Sequence, residues 1–228
     1  MITFSTSILL IFAFSHQSIG WEVVLDEPSQ NRFHWSYAKP NDWSNGFPQC
    51  SGTQQSPIDL NVVYNNCLTT YKTHDDPIIF SPGYQKWLSF VLTNDGHSVV
   101  GTPANASDGP DLYIHGNGLN DVYHFNNFHV HWPAEHFSQE NMVEVHFVHQ
   151  NEKTKKIVVL AYYLKISRNP NPFWALYVVK AVKLKAAGQK ITYATVLARM
   201  MNGNQTKYFQ YPVNARKIER SFLPGWEP

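Results

Sequence analysis

Charged side chains are scarce in this chain of 228 residues: Asp, Glu, Lys and Arg make up 15% of it and leave a formal net charge of +1. No run of basic residues occurs, so the chain lacks the electrostatic footprint that nucleic acids and anionic membranes attract. No internal repeat and no low-complexity linker divides it. We therefore expect one domain and no nucleic-acid partner.

Long apolar runs are few as well. Residues 8–14 form an apolar run that is followed by polar residues 15–18 and by Gly20. It is too short to span a bilayer as a helix and is typical of a secretory signal peptide, although the usual basic start is missing. A buried N-terminal strand is the alternative interpretation. The sequence thus predicts a signal peptide over 1–20, a secreted, extracellular domain over 21–228, and no transmembrane segment or lipid-anchor tail.

Only two cysteines occur, Cys50 and Cys67. In an oxidising compartment they are candidates for a disulfide, which would contribute about 3 kcal/mol on a chain-entropy estimate. Sequence alone does not decide their pairing. Secretion would also give meaning to two N-glycosylation acceptors, Asn105 in Asn-Ala-Ser and Asn204 in Asn-Gln-Thr.

Apolar residues, in contrast, are plentiful at 43%, with 14% aromatic, which is enough for a substantial core. Short strand-like runs separated by turn residues predict a largely antiparallel sheet. A helix is predicted from Asn171 to Leu184, with Gly188 as its C-terminal stop. Core packing is favoured over membrane insertion for this helix. The predicted strands are 78–80, 88–93, 98–101, 111–115, 122–132, 142–149 and 157–164.

Two histidines, His129 and His131, stand two apart in one of these runs and therefore project from the same face of a strand. A single His-x-His is more often incidental than metal-binding. His146, however, lies in the next run, and Glu144 shares its face and can accept a hydrogen bond from its second ring nitrogen. If the two strands are neighbours, the three imidazoles form a zinc site with one open position, as in catalytic rather than structural sites.

A series of motifs around these histidines resembles the secreted α-carbonic anhydrases. The resemblance implies a mainly β (α+β) fold, with a central twisted, mostly antiparallel sheet and a few peripheral helices. It also implies zinc-dependent interconversion of carbon dioxide and bicarbonate by attack of zinc-bound hydroxide. His129, His131 and His146 match the zinc ligands, and Asn127 stands where the family usually has a longer Gln that supports the first ligand. The motifs are 35–37, 55–59, 94–97, 128–132, 135–136, 144–149, 157–162 and 212–218.

The resemblance assigns further roles around the metal. His97 matches the histidine that shuttles protons to buffer, a task suited to an unperturbed pKa near 6.5. Glu135 matches the acid that orients the hydroxide through a threonine. Tyr37 matches a tyrosine that orders water, and Val148 and Val159 match the apolar wall where carbon dioxide waits.

The pattern breaks after residue 195. Residues 188–193 resemble the segment that follows the family's helix, whereas 196–199 resemble a region near its C-terminus. The intervening strands and the Ser-Leu-Thr-Thr-Pro-Pro loop have no counterpart, so Glu135 loses its threonine, Cys50 loses its usual partner, and the sheet gains unpaired edges. We expect an incomplete domain and impaired hydration. The alternatives are a weakly active or non-catalytic zinc-binding or matrix protein, and an incomplete gene model; oligomeric state is left open.

Overall fold

The computed structural model describes most of the central part of the chain and a stretch at its start. Tyr37, Cys67 and Asn204 lie outside the described residues, so the predictions for them, including the disulfide, stay predictions. The described residues are 2–13, 38–52, 56–57, 70–72, 77–105, 107, 109, 111–116, 119–136, 143–166, 168–201 and 208–213.

One eleven-stranded sheet dominates the described part of the chain. Its path runs β10-β4-β5-β7-β8-β9-β1-β11-β2, while β6 pairs with β7 and β3 pairs with β6. Every pairing is antiparallel except that of β1 with β11. The strands are β1 (Ile2–Ala13), β2 (Thr70–Lys72), β3 (Ile78–Phe80), β4 (Leu88–Asn94), β5 (Val99–Pro103), β6 (Tyr113–Gly116), β7 (Leu119–His131), β8 (Val143–Gln150), β9 (Ile157–Ile166), β10 (Lys190–Thr195) and β11 (Tyr208–Val213).

Few helices accompany the sheet. The α-helices are α1 (Trp43–Gly46), α2 (Pro172–Ala181) and α3 (Leu197–Met200), and the 3₁₀ turns are Pro40–Asp42, Pro48–Ser51 and Pro82–Gln85. The predicted mostly antiparallel sheet with few helices is therefore confirmed. Among the described residues, no helix has both the length and the apolarity needed to cross a membrane.

The prediction for α2 was right about its start and wrong about its end. Asn171 caps it, accepting a hydrogen bond from the backbone N–H of Phe173 at 2.9 Å, but the helix ends at Ala181. Gly188 lies instead in the turn before β10, where its φ of +83° suits a residue without a side chain. Trp174 and Tyr177 are buried, as core packing predicts.

At the N-terminus, β1 lies between β9 and β11. It pairs with β9 from Ile2 opposite Ile166 to Ala13 opposite Ile157. The structure thus has the arrangement of the alternative interpretation, an N-terminal strand. A strand in the full chain does not test whether residues 1–20 are cleaved, and the signal peptide stays a prediction.

Packing behind β7 fixes the position of this strand. Phe128 alternates with the two histidines and is fully buried, with its ring 5.6 Å from that of Phe90 and 6.0 Å from that of Phe147. Gly101 of β5 lies opposite Phe128, and a Cβ there would come within 2.4 Å of the ring. The apolar face of β7 is therefore held tightly, which leaves its other face to present the histidines.

Candidate metal centre

Three histidine rings meet where β7 and β8 run side by side. His129 lies directly opposite His146, and His131 lies opposite Glu144. The ring centroids are 4.9 Å apart for His129 and His131, 5.2 Å for His129 and His146, and 4.6 Å for His131 and His146. The structure therefore brings the three predicted ligands together.

The nitrogens of these rings are close to the spacing that a metal ion needs. One nitrogen from each of His129, His131 and His146 lies within 4.8 Å of the others. Bonds of 2.0–2.1 Å to a tetrahedral zinc ion would place ligand nitrogens about 3.4 Å apart. The three nitrogens are therefore close enough together to be candidate ligands of a single ion.

Asn127 determines which nitrogen of His129 is available. Its Oδ1 lies 2.9 Å from Nδ1 of the ring, while its Nδ2 donates to Asn126 Oδ1 at 2.8 Å. The second bond orients the amide so that its oxygen faces His129. Nδ1–H of His129 then donates to Asn127, and Nε2 remains for a metal.

Glu144 determines which nitrogen of His146 is available, and it also links His146 to a further histidine, His136. Its Oε1 lies 2.6 Å from His146 Nε2 and 2.6 Å from His136 Nδ1, and its Oε2 accepts from the backbone N–H of His136 at 2.8 Å. Burial would raise the pKa of this carboxyl, but the two rings outweigh burial and hold the pKa well below its usual value. A charged Glu144 leaves Nδ1 of His146 as the metal-facing atom.

Glu135 lies against the third ring. Its Oε1 is 3.2 Å from His131 Nδ1, and its Oε2 is 3.9 Å from His146 Nδ1. The side chains of Glu135 and His131 are 1% and 4% exposed. At Glu135 Oε1 the contact lacks hydrogen-bond geometry, so it is a close approach of two buried groups rather than a hydrogen bond.

The donor set decides which ion fits. Three imidazole nitrogens, two of them on rings whose other nitrogen is hydrogen-bonded to a side-chain oxygen, match a zinc site with one position left for solvent or substrate. His136, Glu144 and His146 also lie within 4.8 Å of one another. Because they are joined by 2.6 Å hydrogen bonds, we interpret this second group as the support of the first.

Comparison with known proteins identifies the chain. The model of the eukaryotic-type carbonic anhydrases matches residues 38–213. The chain belongs to this family. Carbonic anhydrase 12 of Homo sapiens is 31% identical over 180 residues, which cover 65% of the chain and 47% of the relative. For putative carbonic anhydrase 3 of Caenorhabditis elegans the identity is 31% over 149 residues, covering 59% and 55%.

Carbonic anhydrase 6 of Mus musculus is 26% identical over 211 residues, covering 78% of the chain and 62% of the relative. The chain thus spans roughly half to two thirds of the length of the curated carbonic anhydrases that it matches. Carbonic anhydrases depend on zinc, and the histidine cradle is the place in the described chain where such an ion fits.

Other predicted residues of the carbonic anhydrase pattern occupy distinct places around the cradle. His97 is exposed in the turn between β4 and β5, and its backbone N–H donates to Asp95 Oδ1 at 2.8 Å. This turn leads into β5, whose Val100 lies opposite His129. Val148 and Val159 are half-buried and directly opposite each other in β8 and β9.

Two residues predicted to carry modifications typical of secreted proteins, a glycan on Asn105 and a disulfide at Cys50, are also among the described residues. Asn105 is exposed just after β5, where a glycan has room. Cys50 is half-buried in the 3₁₀ turn Pro48–Ser51, and burial raises the pKa of its thiol. Neither observation tests glycosylation or the disulfide.

His136 is the functional residue to which sequence reasoning gave no role. It is buried, with a side-chain exposure of 0%, and it binds Glu144 through both its ring and its backbone. The motif Glu135-His136 was visible in the sequence, but nothing in the spacing showed that the chain folds back onto β8 there.

Proposed function

We propose that this chain is a secreted zinc-dependent carbonic anhydrase that interconverts carbon dioxide and bicarbonate. The single observation that supports it best is the set of three converging imidazoles, of which His129 and His146 have their second nitrogen hydrogen-bonded to a side-chain oxygen. Membership of the family makes carbon dioxide the expected substrate. Secretion rests on the apolar run 8–14 followed by small and polar residues.

His129 would hold the ion through Nε2 and His146 through Nδ1, with His131 as the third ligand. Zinc, when bound, lowers the pKa of a coordinated water to about 7 and so supplies a nucleophile at neutral pH. The charged Glu144 orients His146 and raises its basicity, which keeps this ring a strong ligand.

Substrate approach and proton removal fall to residues beside the cradle. In β8, Val148 lies two residues after His146 and shares its face, and it pairs with Val159 of β9. These two side chains would form a wall that a nonpolar gas can approach while water is excluded. His97, exposed on its hairpin turn, would carry the released proton to buffer.

A reduced activity is part of the proposal. The Ser-Leu-Thr-Thr-Pro-Pro loop that the family resemblance leads one to expect has no counterpart after residue 195. Without the Thr-Thr loop, the pocket lacks part of the electrostatic stabilisation that makes such chemistry fast.

The decisive experiment measures zinc content and stopped-flow hydration of carbon dioxide on the same purified protein. We expect about one zinc per chain and hydration above a zinc-free control, both abolished by His131→Ala. His115→Ala, in β6, is the matched control and should change neither.

The other possible results of these measurements favour the alternative interpretations of the chain. Zinc binding without hydration or esterase turnover would favour a non-catalytic zinc-binding or matrix protein, an alternative motivated by the missing loop. Absence of zinc binding would overturn the proposal altogether. A longer transcript across Thr195–Val196 would show that the gene model is incomplete and would restore the expectation of full activity.

A further inference from the structure

We propose that the outer face of α2, together with Trp87, is a docking surface for membranes that carry anionic lipids. The surface lies outside the metal cradle, so this role goes beyond the proposed function. Two features of the described residues support it. Large apolar side chains are exposed on this face, and lysines that are not neutralised by acidic side chains stand beside them.

The inner face of α2 is fixed in the core, which determines the side that points outward. Trp174 and Tyr177 are both buried. The indole Nε1–H of Trp174 donates to Met200 O at 2.9 Å, and the hydroxyl of Tyr177 donates to Val99 O at 3.2 Å. Because these two rings point inward, the residues on the opposite side of the helix are presented to the surroundings.

An apolar strip covers this outer face. Val179 and Val182 are each 54% exposed and Leu176 is 41% exposed, and their spacing of three places them one after another along the helix. Trp87 extends the strip beyond α2, because it is 67% exposed and its ring lies 5.7 Å from that of Phe173, one turn before Leu176. Single exposed apolar residues are common, but a contiguous group is typical of an interaction site.

The charge beside the strip has one sign. Lys180 stands four residues after Leu176 and Lys183 four residues after Val179, so both lysines are neighbours of the strip, and Lys185 follows. Residues 153–218 contain no Asp or Glu, although they hold most of the chain's 18 Lys and Arg residues. The net charge of +1 therefore hides an uneven distribution, which a search for basic runs does not show.

The acidic side chains of the neighbouring turns do not neutralise these lysines. Asp95 accepts from the backbone N–H groups of residues 97 and 98 at 2.8 and 2.7 Å. Asp111 is paired with Lys86 at 2.9 Å. Within the part of the chain that the structure describes, neither acid forms an ion pair with a lysine of α2. An approaching anionic surface thus meets uncompensated positive charge.

This combination favours a lipid surface over other anionic partners. In helices that lie on membranes, apolar side chains enter the boundary between headgroups and acyl chains, while lysines contact anionic headgroups. Tryptophan is enriched at the same depth. A sulfated polysaccharide would pair with the lysines but would bury little of the apolar strip. With ten residues, α2 is too short to cross a bilayer, so the docking is peripheral.

The test measures sedimentation of the purified chain with two kinds of vesicle, phosphatidylcholine alone and equal parts phosphatidylcholine and phosphatidylglycerol. We expect binding to the anionic vesicles only, weakened by salt. Each lysine near such a surface contributes about fivefold in affinity, so Lys183→Gln/Lys185→Gln should weaken binding on the order of 25-fold. Lys153→Gln/Lys155→Gln removes the same charge from the exposed turn between β8 and β9 and should leave binding nearly unchanged.

The apolar strip is tested separately. Val179→Thr/Val182→Thr keeps the shape of both side chains but makes them polar, and it should weaken binding by about tenfold. Vesicles with brominated acyl chains should quench the tryptophan fluorescence of the bound chain, and Trp87→Phe should reduce this quenching. Zinc content and hydration without vesicles should be the same in all these variants, which shows that they are folded.

Several results would overturn the proposal. Absence of binding to the anionic vesicles, or an equal effect of the two lysine pairs, would show that α2 is not the docking surface. Binding to heparin as well as vesicles, with no effect of the valine substitutions, would assign the lysines to a sulfated polysaccharide. A dimer in sedimentation equilibrium that is lost in Val179→Thr/Val182→Thr would make a second copy of the chain the occupant. Residues 1–36 are the same in every variant, so binding through the apolar run 8–14 cannot produce these differences.

Discussion

At the scale of single residues, β8 holds two histidines with opposite environments. His146 faces the cradle, whereas His149 lies on the other face and is fully buried. Nδ1 of His149 donates to Phe147 O at 3.0 Å, and its Nε2 accepts from the Tyr84 hydroxyl at 2.5 Å. Burial lowers the pKa of His149 to about 3. This ring is therefore a neutral core residue, and histidine content alone does not mark a metal site.

The low pKa of His149 predicts a pH-dependent stability. Between the unfolded pKa near 6.5 and the folded pKa near 3, only the unfolded chain binds the proton, so stability is lost as pH falls through this window. The slope should approach about 1.4 kcal/mol per pH unit for this residue. Urea unfolding of metal-free protein at several pH values measures it.

His149→Gln is the matched variant, because it keeps a polar side chain at the position but cannot titrate. Its stability should fall less steeply with acid than that of the unmodified chain. Identical slopes in the two proteins would show that His149 does not make this contribution.

At the scale of elements, the sequence was most informative where apolar and polar residues alternate. β3 was predicted at its observed bounds, and β4 to β9 within a few residues, because one buried face imposes a period of two. The shared face of His129 and His131 follows from that period alone. Their closeness to His146 does not, because it depends on the register of β7 against β8, which the pattern within either strand does not determine.

Elements without such a pattern were missed. β2 has three residues, too few for a period, and β11 was quoted only as part of a family motif. The helix α2 ends at Ala181, and the chain beyond it turns and buries Leu184, a tertiary arrangement that a Gly stop signal at 188 does not show. The support of the metal site by His136 was missed for the same reason.

The N-terminal strand makes a prediction about processing. If residues 1–20 are a signal peptide, mass spectrometry of the secreted protein should find a chain that begins near Trp21. β9 would then lose the partner that it has from Ile157 to Ile166. Hydrogen exchange of those β9 amides should be faster in the secreted form than in the full chain made without secretion.

The opposite result has an equally definite meaning. A secreted chain that still carries residues 2–13 would make β1 a permanent interior strand and the signal-peptide prediction wrong. A cleaved chain with unchanged exchange in β9 would show that another segment takes the place of β1.

At the scale of the whole molecule, zinc should raise the free energy of unfolding of the sheet. Its proposed ligands come from two neighbouring strands, so an ion bound only by the folded chain adds its binding free energy to the stability. At a free zinc concentration of 1,000 times Kd, unfolding should cost about 4 kcal/mol more than in chelator. Urea denaturation with and without zinc measures the difference.

Two variants test whether the zinc-dependent gain in stability comes from the proposed site. His131→Ala should lose most of the zinc-dependent gain, whereas His115→Ala should keep it. An equal gain in His131→Ala would place the stabilising ion elsewhere in the protein.

The closeness of the ligands along the chain has a consequence for folding order. All three ligands and their supports lie between residues 127 and 146, in two consecutive strands and the connection between them. Contacts so local require little loop-closure entropy and tend to form before distant strands find their partners. The metal cradle can therefore assemble independently of the late part of the chain, where the family pattern is broken.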